Sequence, residues 1–107
     1  MTVGFKRNTV VMNPGDSAQI WPAGVLGRIN VIHLTNPNSI GYVNLIIYAG
    51  VDVSAPIIVD IAAKPLDSEA IPIMGGDPGS GILMTDNGMF AVMVGPTNRG
   101  HACIVII

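Results

Sequence analysis

Charge is scarce in this sequence. The 107-residue chain has five Lys and Arg and seven Asp and Glu, 11% of its residues, where soluble domains commonly carry about 25%. Hydrophobic residues make up 50%. A folded monomer of this length should expose roughly 5,700 Å², and so few ionised side chains decorate little of it. Either Asn, Ser, Thr and Gly supply a neutral polar surface, or other protein covers much of the outside. The second is the expectation carried forward. The net charge of −2 and the scattering of Lys6, Arg7, Arg28, Lys64 and Arg99 leave no basic footprint, so nucleic acid is not expected as a partner.

Other shortages narrow the class further. A single cysteine, Cys103, excludes an internal disulfide. Lying in an apolar run, it reads as a small buried hydrophobe of a protein made in a reducing cytoplasm. No apolar stretch approaches the ~20 residues of a spanning helix, so no membrane is expected. Residues 1–7 lack the charged start and long apolar core of a secretion signal. Long helices have little room among 13 glycines and 8 prolines.

What is present is a series of short runs rich in Val and Ile, which favour strands, separated by turn residues. They lie at Thr9–Met12, Ser17–Trp21, Gly27–Thr35, Gly41–Tyr48, Ile57–Ile61, Glu69–Ile73, Ile82–Thr85, Met89–Val94 and Ala102–Ile107. Turns fall at Asn13-Pro14-Gly15-Asp16, Asn36-Pro37-Asn38-Ser39 and Asp86-Asn87-Gly88. A brief helical turn is expected at Ala62-Ala63-Lys64. The spacing predicts an all-β fold, an antiparallel sandwich or barrel of about eight strands over residues 9–107, preceded by an arm over residues 1–8.

Alternation within the runs assigns faces. In Gly27–Thr35, Ile29, Val31 and His33 share one face, and Asn30, Ile32 and Leu34 the other. In Gly41–Tyr48, Val43, Leu45 and Ile47 form an aliphatic core face, while Tyr42, Asn44, Ile46 and Tyr48 look outward. An aromatic and amide face suits a wet interface, and equally an ordinary surface with a few large residues. The last run is apolar on both sides, Ile104 and Ile106 on one and Cys103, Val105 and Ile107 on the other. One side fills a core, and the other needs a neighbouring subunit. Trp21 with Pro22 packs under the sandwich edge or anchors a neighbouring chain. The interface candidates are therefore Phe5, Trp21, Tyr42, Asn44, Tyr48, Ile104 and Ile106.

Catalytic and metal chemistry find little support. The glycine-rich Gly75–Gly81 lacks the Gly-Lys-Ser/Thr ending of a phosphate loop. His33 and His101 are the only imidazoles, with no His-x-His or Cys-x-x-Cys spacing for zinc. Cys103 lies two residues after His101, on the same face of a strand, but no third orienting group accompanies them. Asp52, Asp60, Asp67, Glu69, Asp77 and Asp86 form no calcium run and read mostly as turn residues. No enzyme activity, cofactor or metal is expected.

The stretch Ser17-Ala18-Gln19-Ile20-Trp21-Pro22-Ala23-Gly24, followed by Arg28-Ile29-Asn30-Val31-Ile32-His33-Leu34-Thr35-Asn36, resembles small structural proteins of tailed-phage virions. Those chains commonly run from a strand through a Pro-Ala-Gly corner into a long strand ending in Thr-Asn or a similar pair. The similarity continues through Tyr42–Tyr48 to the hydrophobic last strand, and covers residues 8–107. Where such proteins often have a Gly-Asp pair before the penultimate strand, this chain has Thr85-Asp86-Asn87-Gly88. The resemblance implies a jelly-roll or related β-sandwich, a homo-oligomer with the trimer as the leading expectation, and a capsid decoration or cement role. The partner it implies is the major capsid or another virion protein, and the location is the virion, after synthesis in the host cytoplasm. It implies no catalytic residue. The arm would dock through Phe5. The alternative function is a carbohydrate- or receptor-binding β-sandwich of a tail or fibre. A cupin-like enzyme would need a metal-ligand cluster that two histidines do not supply.

Overall fold

The computed structural model describes residues 8–72 and 84–106. They form an all-β sandwich. The strands are β1 (Asn8–Met12), β2 (Ser17–Trp21), β3 (Gly27–Asn36), β4 (Val43–Tyr48), β5 (Ile57–Ala63), β6 (Asp67–Pro72), β7 (Met84–Thr85), β8 (Met89–Val94) and β9 (His101–Ile106). One sheet has the order β1-β9-β3-β6, with the short β7 also pairing with β3. The other has the order β2-β8-β4-β5.

All pairings are antiparallel, and they nest. The first strand pairs with the last, β2 with β8, β3 with β6, and β4 with β5. The contacts β9 to β3 and β8 to β4 then complete each sheet. The connections β1–β2, β2–β3, β3–β4, β5–β6 and β8–β9 each cross from one sheet to the other, whereas β4 and β5 form a hairpin within one. An apolar core fills the space between the sheets. Ile29, Ile32, Leu34, Val43, Leu45, Ile47, Met89, Met93, Ile104 and Ile106 are fully buried in it.

Strand parity departs from simple alternation where the ladder is irregular. Between Ile29 and Val31 the register of β3 against β9 shifts. Such a bulge places an extra residue in one strand and reverses the facing of everything beyond it. Ile29, Ile32, Leu34 and Asn36 consequently share the core face, and Val31 and His33 look outward. The expected grouping of Ile29 with Val31 and His33, and of Asn30 with Ile32, is corrected by this bulge.

Other boundaries move for local reasons. Residues Ala62 and Ala63 continue β5, paired with Asn44 and Val43, so the expected helical turn is a strand end. The chain then reverses at Lys64–Asp67, where Leu66 adopts φ 61° and its N–H donates to Asn38 O at 3.0 Å. Gly41 and Tyr42 precede β4 rather than belonging to it. Asn8, assigned to the arm, begins β1. Phe5, Ile73, Gly75–Gly81, Ile82 and Ile107 lie outside the described residues.

The Asp86-Asn87-Gly88 turn is tightly placed. Gly88 has φ 91°, a conformation that favours glycine. A methyl group there would lie 3.2 Å from Trp21 O and 3.4 Å from Gly50 O. The Gly24 N–H also donates to Asp86 O at 2.7 Å. Three connections at this end of the sandwich therefore pack on one another.

Candidate interaction surface

With the core filled, function must reside on the outer faces of the sheets and on the loop ends. The outer face of the β2-β8-β4-β5 sheet is built by register. Gln19 of β2 lies opposite Phe90 of β8, Phe90 opposite Tyr48 of β4, and Tyr48 opposite Ile57 of β5. A second row runs Ser17, Val92, Ile46 and Asp60, and a third runs Val94, Asn44 and Ala62. Directly opposed side chains on one face lie ~5 Å apart and touch. Phe90, Tyr48, Val92 and Ile46 thus make a contiguous half-buried patch, extended by Val94 and Ile57, which are 54% and 53% exposed. An antiparallel sheet with a solvated face ordinarily alternates apolar inward with polar outward. Among the described residues Asp60 is the one carboxylate on this otherwise uncharged and largely apolar face.

The other outer face, on β1-β9-β3, is mixed. Val11 is 63% exposed and lies opposite Cys103, which lies opposite His33; the next row is Thr9, Val105 and Val31. His101 shares the face with Cys103 but pairs with Thr35. Cys103 is a half-buried free thiol on this outer face, not a core residue, because the alternation that buries Ala102 and Ile104 turns it outward. Among the described residues no group of three or more His, Cys, Asp or Glu is placed to hold a metal ion. No helix among them is long and apolar enough to cross a membrane.

The interface candidates separate accordingly. Ile104 and Ile106 are 0% exposed; they face the core, and their assignment to an interface is corrected. The face of β9 open to a neighbour is that of Cys103 and Val105. Trp21 is likewise a core residue at 9% exposure, its indole N–H donating to Val25 O at 3.0 Å. Tyr42, 56% exposed, lies in the β3–β4 connection at one end of the sandwich, apart from Tyr48. Asn44 and Tyr48 do lie together on the apolar face. Sequence reasoning missed Phe90, Val92, Val94 and Ile57 as members of that face. The register between β4, β5 and β8 was the missing fact, although the apolar outward positions of Met89–Val94 were legible by alternation.

The end that carries Tyr42 is held by buried amides. Asn36, on the core face of β3, donates from Nδ2 to Gly41 O at 2.9 Å and Ala63 O at 3.0 Å. Its Oδ1 accepts from the Asn38 backbone N–H and side-chain amide, at 3.0 and 2.9 Å. Asn38 Nδ2 also donates to Arg99 O at 2.9 Å, and Asn38 Oδ1 accepts from the Thr97 hydroxyl. Two side chains therefore tie the β3–β4, β5–β6 and β8–β9 connections together. Among the described residues no buried side-chain polar atom lacks a partner, as low-dielectric burial demands. At the opposite end, the Ser54 hydroxyl and then its backbone N–H donate to Asp52 Oδ1 and hold that carboxyl below its ordinary value, against slight opposition from desolvation.

Comparison with family models, with curated proteins and with solved structures found no match to this chain.

Proposed function

We propose that this chain is a non-enzymatic structural protein of a phage virion, which decorates or cements the shell by bridging neighbouring subunits as a homo-oligomer. The observation that carries the reading is the outer face of β2-β8-β4-β5, with apolar side chains in every row and one carboxylate among its described residues. Such a face loses water usefully only against more protein. Burial is worth about 25 cal/mol per Å² of apolar area, opposed by the large cost of immobilising each partner. Repetition over a lattice of identical sites offsets that cost through avidity. The shortage of charge fits a permanent contact, since obligate interfaces are more apolar than transient ones.

The strand order also supports a finer reading of the sandwich as a jelly roll. Nested antiparallel pairs β1/β9, β2/β8, β3/β6 and β4/β5 are what an eight-stranded ribbon gives when it rolls into two sheets. Viral shell proteins and lectins are among the users of that architecture, so the fold agrees with the role without deciding it.

Imaging particles that carry this chain tests the proposal. Regular density for the sandwich on the outside of the head, touching at least two shell subunits per copy, is expected. Its absence from particles, or confinement to a tail tip, rejects it. The second reading, a carbohydrate- or receptor-binding sandwich, has its own support: Phe90 and Tyr48 lie side by side with the Gln19 and Asn44 amides on the same face. A sugar stacks on such rings and bonds to such amides. Saturable binding on a glycan array by a monomeric chain would favour it.

A further inference from the structure

The β2-β8-β4-β5 face is not merely apolar; it is complementary to itself. Its carboxylate, Asp60, lies on the edge strand β5, and the hydroxyl and amide of Ser17 and Gln19 lie on the opposite edge strand β2. The two central strands carry Val92 opposite Ile46 and Phe90 opposite Tyr48. A two-fold axis parallel to the strands, between β8 and β4, lays β8 of one copy over β4 of the next, and β2 over β5. Phe90 then meets the partner's Tyr48, Val92 meets the partner's Ile46, and Ser17 meets the partner's Asp60. At the centre apolar lands on apolar and each carboxylate lands on a donor rather than on its own copy, while towards the rim Gln19 meets the partner's Ile57 and Val94 the partner's Asn44. Two-fold contacts require this reciprocity.

We propose that this face is the contact between two copies of the chain. The inference deepens the proposed function and rests on its claim that the chain acts in an assembly, not on which shell it binds. Packed sheets cross at about 30°, which shifts the outermost strands by roughly 4 Å at their spacing of ~4.8 Å. Ser17 and the partner's Asp60 then remain within reach directly or through one water. Four strands by three rows give roughly 400 Å² of flat area, against about 800 Å² per partner in a standard stable complex. A pair held by this face alone therefore associates weakly and becomes permanent when a lattice holds the copies close.

Sedimentation of the full chain from about 5 to 500 µM, at physiological salt, tests the contact through an exchange of residues. Within one chain Ser17 and Asp60 are separated by three strand spacings, roughly 14 Å, beyond one screening length. Their coupling therefore reports the partner. Ser17→Asp sets carboxylates against each other at two symmetric places and is expected to weaken dimerisation about tenfold. The double variant S17D/D60S restores the pairing with the residues exchanged, and is expected within about twofold of the native chain. All three chains should melt alike, because both positions are at the surface. A chain that stays monomeric throughout, a dimer indifferent to S17D, a failure of the exchange to rescue, or a trimer insensitive to all of these overturns the two-fold contact. None of those results bears on density on the head of a particle, which judges the shell reading by itself.

Discussion

Asn36 shows how much one side chain can hold. All of its amide hydrogen-bonding groups are engaged, two as donor and two as acceptor, and it is 1% exposed. Asn36→Ala leaves Gly41 O, Ala63 O and the Asn38 amide short of a partner in a dry site. Each orphaned group costs about 1–3 kcal/mol, so a loss of roughly 3 kcal/mol or more in urea unfolding is expected. Asn36→Asp keeps the shape but turns a lone pair toward two carbonyls, so its carboxyl is favoured neutral and its pKa rises above the unfolded value. That variant should be most stable below pH 4 and lose stability as pH rises through the raised value; a stability independent of pH would contradict the network. Gly27 makes a second test. A methyl group there would lie 2.5 Å from Trp21 Nε1, so Gly27→Ala must move the indole off Val25 O. A cost of about 1–3 kcal/mol is expected, with a shifted emission from the chain's single tryptophan. Outside the core, Ser54→Ala should raise the Asp52 carboxyl toward its ordinary value, read by NMR titration. The native arrangement favours folding above the unfolded pKa of that group, and the benefit fades as pH falls through the folded one.

At the level of strands, much was legible from residues alone. Thr9–Met12, Ser17–Trp21 and Met89–Val94 are strands to within a residue, because Val and Ile runs between Pro, Gly, Asn and Asp turns leave few other choices. The all-β sandwich follows from them. Parity was not fully legible. The bulge at Asn30 and Val31 of β3 is set by its pairing with β9, a contact distant in sequence, and no local pattern marks it. The same holds for Ala62 and Ala63, whose helix-favouring composition yields to the β4 ladder. The assignment of Ile104 and Ile106 failed for a related reason: a strand apolar on both sides does not say which side is inward. The bulge makes a sharp prediction. Ile29→Ala and Ile32→Ala should each cost about 2–5 kcal/mol as core truncations, although simple alternation sets these two on opposite faces. A large cost at one of them with little at the other would restore simple alternation and remove the bulge.

For the whole molecule, the scarcity of charge and the architecture point to one conclusion from separate directions. Ions are few, and the face formed by Phe90, Tyr48, Val92 and Ile46 shows where their absence matters. Those four lie side by side on one sheet with Val94 and Ile57 beside them, while other exposed apolar residues, Val11, Ile40, Val53 and Leu66 among them, are single and lie elsewhere. A gathered patch of this kind marks an interaction site more often than chance exposure does. Low charge was readable from composition, and Asn44 and Tyr48 were recognised as outward-facing. The patch itself needed the registers that bring β8, β4 and β5 side by side. In the assembly proposed above, that face is covered in the working state. Hydrogen–deuterium exchange of the full chain at 5 and 500 µM, read residue by residue on β4 and β8 and compared with β1 and β9, measures its covering directly. Protection rising with concentration on β4 and β8, and unchanged on β1 and β9, is the predicted result. Identical exchange at both concentrations across β4 and β8, with the mass of a single chain, would contradict it.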